Sequence, residues 1–123
     1  MSPRAMAFVA TAKPALALAF YRDVLELTLV EDSPFAVVFD AFGTTLRVQK
    51  VEVVTLAPYT SFGLEVEDVD AAARAIVGKG AELLRYPHLE QDALGIWGSP
   101  GGARVCWFKD PDGNVLSLTQ LTA

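Results

Sequence analysis

The sequence is poor in the residues from which metal and redox sites are usually built. It has one cysteine, Cys106, so no disulfide can form within the chain, and a reducing compartment suits it. It has one histidine, His88, which excludes a multi-histidine metal site made by a single chain. No apolar run approaches the roughly 20 residues that span a bilayer. The opening Met1-Ser2-Pro3-Arg4-Ala5-Met6 lacks the continuous apolar segment of a signal peptide. Positive charge is also scarce: 10 Lys and Arg against 15 Asp and Glu leave a net charge of −5, which argues against a phosphate-backbone partner. A cytoplasmic chain with neither a membrane nor a nucleic-acid partner is expected. No Ser–His–Asp pattern or phosphate-binding loop stands out, since Gly101-Gly102 falls in a hairpin and not ahead of a helix.

Apolar residues, by contrast, are plentiful. They make up 52% of 123 residues, with a mean hydropathy of +0.33, enough for one domain with a sizeable core. Their spacing predicts elements in a repeating order. Residues 6–11 read as a strand, and Pro14 suits the first turn of a helix, where its missing N–H costs nothing. Ala17, Phe20, Tyr21, Val24 and Leu25 then fall on one helical stripe. Strands follow at Leu27–Glu31, Phe35–Asp40 and Thr44–Val54. The order recurs from Ser61: a strand to Glu67, Asp68 as N-cap, and a helical stripe of Val69, Ala72, Ala73, Ile76 and Val77 that ends before Gly80. Short strands at Glu82–Tyr86 and Gly95–Gly98 come next. Each half thus reads β-α-β-β-β, and setting Phe8 against Phe62 also sets Leu29 against Leu83. A ferredoxin-like or other α+β sandwich is the alternative.

The chain closes on Val105–Gln120, V-C-W-F-K-D-P-D-G-N-V-L-S-L-T-Q. Proline presets φ for an early turn position, and Gly113 or Asn114 can take φ > 0, so Asp110–Asn114 should reverse the chain between two antiparallel strands. Strand alternation sorts the side chains. Leu46 and Val48 oppose Thr45, Arg47 and Gln49; Phe62, Leu64 and Val66 oppose Ser61, Gly63 and Glu65; Leu116 and Leu118 oppose Ser117 and Thr119. The apolar sets should face the helices, and the polar sets should line a cavity.

An aromatic, a short step, D-P-D-G-N and an apolar strand resemble the closing hairpin of the vicinal oxygen chelate superfamily. That superfamily includes glyoxalase I, extradiol dioxygenases, fosfomycin-resistance proteins and bleomycin-resistance proteins. A-L-A-F-Y-R-D-V-L-E-L at 17–27 resembles its first helix, with Glu26 in place of the usual glycine. L-E-V-E-D-V-D-A-A at 64–72 resembles the opening of its second module. The resemblance implies an α+β fold of two βαβββ modules, about 5–56 and 59–121. Their strands would form an open, curved mixed sheet, a half-barrel with helices on the convex side and the ligand on the concave side.

Metal-dependent members carry one ligand on each of four strands. The resemblance places those positions at Met6, Arg47, Ser61 and Ser117. Methionine prefers soft metals, arginine is a fixed cation, and neutral serine hydroxyls bind weakly. No cofactor is therefore expected, and the family's divalent metal site reads as lost. What is left is a candidate ligand site of Arg47, Gln49, Ser61, Glu65 and Ser117, with Trp97, Trp107 and Phe39 as stacking surface. Two readings of Arg47 stand: it meets an anionic ligand group, or it pairs with Glu65. The tryptophans are either a platform or core, and His88 is a loop residue. The function expected is a metal-free binding or sequestering protein for a small organic molecule, similar to the bleomycin-resistance branch and homodimeric. The alternative is a lyase, isomerase or dioxygenase acting on an α-keto or enolisable substrate, either metal-free or with displaced ligands such as Glu65 or Asp40.

Overall fold

The computed structural model describes residues 2–121. The chain forms two compact units. The first runs through Ala57 and takes in Asp110–Asn114; the second is built from Pro58–Lys109 and the chain from Val115 onward.

In the first unit, β1 (Met6–Thr11), β2 (Thr28–Asp32), β3 (Ala36–Ala41) and β4 (Thr44–Lys50) make a four-stranded mixed sheet in the order β1-β4-β3-β2. β1 runs parallel to β4, and the other pairs are antiparallel. Between β1 and β2, α1 (Pro14–Ala19) passes directly into a π-helical turn, Phe20–Val24. The apolar stripe expected there holds: Ala17, Tyr21 and Leu25 are buried. Glu26, which stands where the resembled superfamily usually has glycine, adopts a left-handed backbone, with φ of 59°.

The second unit repeats the pattern. β5 (Phe62–Glu65), α2 (Val69–Gly78), β6 (Trp97–Gly98), β7 (Arg104–Lys109) and β8 (Val115–Gln120) give a sheet in the order β5-β8-β7-β6, again with the first strand parallel to the last. Asp68 caps α2, accepting the Ala71 N–H at 3.1 Å. Val69, Ala73 and Ile76 form its buried stripe, and Gly80 ends it at φ of 103°. The fold is α+β, with one βαβββ module in each unit.

Four expectations need correction. β4 ends at Lys50 instead of Val54: the amide of Val51 makes a last bond to Thr11 O at 2.9 Å, and Val53 is 80% exposed. β5 is likewise shorter than Ser61–Glu67. Residues 82–86 form only a bridge from Leu83 to Phe108, because the chain bends away after Leu84 donates to Trp107 O. Finally, Phe8 and Phe62 are not equivalent. Phe8 lies opposite Arg47, on the sheet face turned from the helix, while Phe62 lies opposite Leu116, on the helix face. The modules are therefore offset by an odd number of residues in their first strands.

The Asp110–Asn114 turn is built as expected, with Gly113 at φ of 96°. It also packs into the first unit. Thr11 Oγ1 donates to Asp112 Oδ2 at 2.5 Å, the Ala12 amide donates to Asp112 Oδ1 at 2.9 Å, and Asn114 Nδ2 reaches Ala10 O at 2.9 Å. Beneath these, the Tyr21 hydroxyl donates to Asp110 Oδ2 at 2.7 Å. The sequence pointed to the turn itself; its attachment to the start of the chain rests on partners about a hundred residues away.

Candidate functional site

Each sheet has one face covered by its helix and one open face. In the first unit Leu46 and Val48 are buried on the helix side, so alternation puts Thr45, Arg47 and Gln49 on the open side. Register adds their neighbours. Arg47 lies between Phe8 on β1 and Val38 on β3; Gln49 lies between Ala10 and Ala36. Phe8 is 51% exposed and Val38 is buried, so the half-buried guanidinium stem crosses an apolar strip. Among the described residues Arg47 has no hydrogen-bond or ion-pair partner, and neither has Glu65. Among the described residues neither meets a counter-charge.

Phe39 is corrected: it lies opposite Leu46 on the helix side, fully buried, its ring 5.8 Å from that of Tyr21. It is core and offers no surface to a ligand. Strand parity was available to show this, since Phe39 and Asp40 must face opposite ways and Asp40 is exposed.

In the second unit the open face carries Gly63 and Glu65 on β5, Ser117 and Thr119 on β8, Val105 and Trp107 on β7 and Trp97 on β6. Ser117 is nearly buried, and its hydroxyl fills the space that a Cβ at Gly63 would take. Ser61 precedes β5, half-buried, with its amide bonded to Val115 O at 2.8 Å. The two tryptophans are neighbours, with ring centroids 6.0 Å apart and planes tilted by 34°. Tyr86 meets Trp107 edge to face at 5.4 Å and 88°, and the His88 ring lies 5.9 Å from Tyr86. A cavity of about 300 Å³ opens here, lined among others by Tyr59, Thr60, Tyr86, His88, Trp107 and Val115.

The loop that brings Tyr86 to Trp107 is held by Gln91, a residue the sequence reading passed over. Its Oε1 accepts the Tyr86 amide at 2.8 Å, and its Nε2 donates to Leu84 O at 2.9 Å and Gly95 O at 2.8 Å. Asp92 braces the same loop by accepting the amides of Leu94, Gly95 and Ile96. Those backbone bonds, Ile96 first, hold its carboxyl below the usual range. Tyr59 and Tyr86 were also missed; the aromatic–proline steps P-Y at 58–59 and Y-P at 86–87 were the available signal.

Two titratable groups lie in the cores. Burial, and then the neighbouring Asp110 carboxylate, raise the Tyr21 hydroxyl far above its ordinary value. Burial pushes the Cys106 thiol up to about 11, as befits a small buried residue on β7 and not a nucleophile.

The residues at the four positions where the resemblance places metal ligands are each poor donors for a divalent ion. Met6 is a half-exposed thioether, Ser61 and Ser117 are neutral hydroxyls, and Arg47 is a permanent cation without a carboxylate partner. Among the described residues no three His, Cys, Asp or Glu side chains gather as a metal-ion group, and no helix is long and apolar enough to cross a membrane.

Known structures share this architecture. A member of the glyoxalase/bleomycin resistance protein/dioxygenase superfamily from Sphaerobacter thermophilus is 23% identical, with a TM-score of 0.73 and 98% of each chain covered. The lactoylglutathione lyase of Agrobacterium tumefaciens is 20% identical, with a TM-score of 0.71 over 98% of this chain and 96% of that one. The genomically encoded fosfomycin resistance protein of Listeria monocytogenes is 14% identical, with a TM-score of 0.76 over 99% and 95%. At these identities the likeness is one of fold. No curated protein matches in sequence. The glyoxalase-like domain family matches residues 6–119, nearly the whole chain. The chain therefore belongs to the glyoxalase-like domain family, and it shares its fold with structures from the glyoxalase/bleomycin resistance protein/dioxygenase superfamily.

Proposed function

We propose that this chain is a metal-independent member of its family that binds or sequesters a small organic acid. The observation that carries the reading is Arg47. It occupies a position where metal-dependent relatives hold a carboxylate ligand, on the open face of β4, and it has no partner among the described residues. Arg47 is only partly exposed and lies between Phe8 and Val38, so a carboxylate, phosphate or enolate oxygen is the counter-charge that suits it. Gln49, one step along the same face, adds an amide for the rest of the ligand. In this reading the guanidinium takes over the electrostatic part of the metal's role, and no metal is needed.

The reading also carries a cytoplasmic protein, in keeping with its free buried thiol. It carries a homodimer as well. Support for the dimer comes from β2, the edge of its sheet, which is exposed along its whole length and bears Leu29 and Val30, with Phe35 just beyond it 73% exposed. Sedimentation as a monomer at micromolar concentration contradicts the dimer without touching the Arg47 reading.

The test of function is a thermal-shift screen of pyruvate, malonate, citrate, benzoate and phosphate esters against the wild type and Arg47→Met. A preferential binder of the native state raises the melting temperature. The reading expects shifts with one or more acids that vanish in Arg47→Met, while the variant itself melts as a folded protein. Shifts of equal size in both proteins contradict it.

A further inference from the structure

The aromatic cavity of the second unit calls for a different ligand from the one Arg47 calls for. We infer that it is an aromatic cage for a compact organic cation, a methylated ammonium head group. The inference stands on the second unit alone and goes beyond the organic-acid reading.

A flat aromatic guest is best held between parallel faces, but Tyr86 and Trp107 stand at 88° to one another, 5.4 Å apart. Rings at right angles form a corner, and a corner presents π-electron density to a rounded guest from two directions. Tyr59, exposed on the segment leading into β5, adds a third ring to the lining. The face of an aromatic ring is the negative pole of its quadrupole, and quaternary ammonium groups are what such arrangements recognise.

Charge points the same way. The cavity lining includes no lysine or arginine to repel a cation, and no carboxylate that would favour a strongly hydrated metal ion or primary ammonium over a methylated one. The protein as a whole carries a net charge of −5, which disfavours anions more than cations in its surroundings. The space, about 300 Å³, exceeds a trimethylammonium head and leaves room for a short polar tail beside the Thr60 hydroxyl. The corner is also preformed. Gln91 fixes the Tyr86 amide, Leu84 is bonded to Trp107 O at 2.7 Å, and Trp107 is backed by Trp97. A preformed site loses little to ordering on binding.

The test is titration of the wild-type protein with choline and with its uncharged isostere, 3,3-dimethylbutan-1-ol, followed by tryptophan fluorescence and calorimetry. The inference expects saturable choline binding at millimolar concentration or below, with the isostere at least tenfold weaker. Equal binding of the two shows an ordinary apolar hole and overturns it, as does no binding of either. Trp107→Leu should weaken choline at least tenfold. Should that variant unfold, Tyr59→Leu, at an exposed position, takes its place with a weakening of severalfold. Choline binding is scored in the wild type and the acid screen by its own Arg47→Met arm, so failure of the cage and failure of the organic-acid reading are told apart.

Discussion

The Tyr21 hydroxyl donates to Asp110 Oδ2 at 2.7 Å, joining the first helix to the turn of the last hairpin inside one buried network. Asp110 uses its other oxygen to accept the amides of Asp112 and Asn114, at 3.0 and 2.9 Å, and Oδ2 also takes the Asn114 side-chain amide at 2.8 Å. The carboxylate is thus the centre of the D-P-D-G-N turn, and Tyr21 ties that centre to the helix. Among the described residues no fully buried side-chain polar atom lacks a partner.

Tyr21→Phe removes one charge-assisted bond and little volume. It should cost about 1.5–3 kcal/mol in urea unfolding, with the m-value unchanged. A loss within error of zero would show that the bond contributes nothing net.

Alkaline pH should destabilise the protein through the same residue. The folded Tyr21 is raised above its unfolded value of about 10, so the unfolded chain gives up a proton that the native chain keeps. Its contribution is complete below that value and falls as pH climbs beyond it. Cys106, raised to about 11, acts in the same direction from its ordinary value of 9.0 upward. Unfolding followed from pH 8 to 11 should show stability falling, less steeply in Tyr21→Phe and in Cys106→Ala than in the wild type.

Glu26 holds φ of 59°, a conformation that costs a non-glycine residue about 1 kcal/mol. Glu26→Gly should therefore raise the urea midpoint by a comparable amount, less whatever interaction the carboxylate contributes. A clear fall in midpoint would mean that the side chain outweighs the backbone strain.

Gln91→Ala leaves the Tyr86 amide and two carbonyls without their present partner. Amide hydrogen exchange should quicken at Tyr86 and the tryptophan emission should change, with the far-UV spectrum preserved. Unchanged exchange at Tyr86 would show that Gln91 is not what holds the loop.

Much of this was legible from local pattern. Helix stripes, the Asp68 cap and the face assignments of Arg47, Gln49, Glu65 and Ser117 follow from periodicity, which needs no partner to be known. The departures have several physical causes. Phe8 and Phe62 look alike as letters, but facing is decided by pairing with β4 and β8, and the two pairings differ by one residue. Residues 82–86 have strand composition, yet the chain leaves the sheet after a single bridge to β7, with Gln91 holding the loop that follows. Phe39 shares its aromatic character with the tryptophans, but its pairing with Leu46 sends it into the core. The cavity is not marked in the sequence, because its walls come from four separate stretches, none apolar enough to stand out.

The central claim is ligand binding through a guanidinium in place of a metal ion. It is tested most directly by calorimetric titration of an acid from the thermal-shift screen into wild type and Arg47→Met, each with and without EDTA. The account predicts the same wild-type affinity under both conditions and a loss in Arg47→Met of tenfold or more, the equivalent of about 1.4 kcal/mol. Binding that disappears with EDTA and returns on adding zinc, nickel or manganese would contradict it.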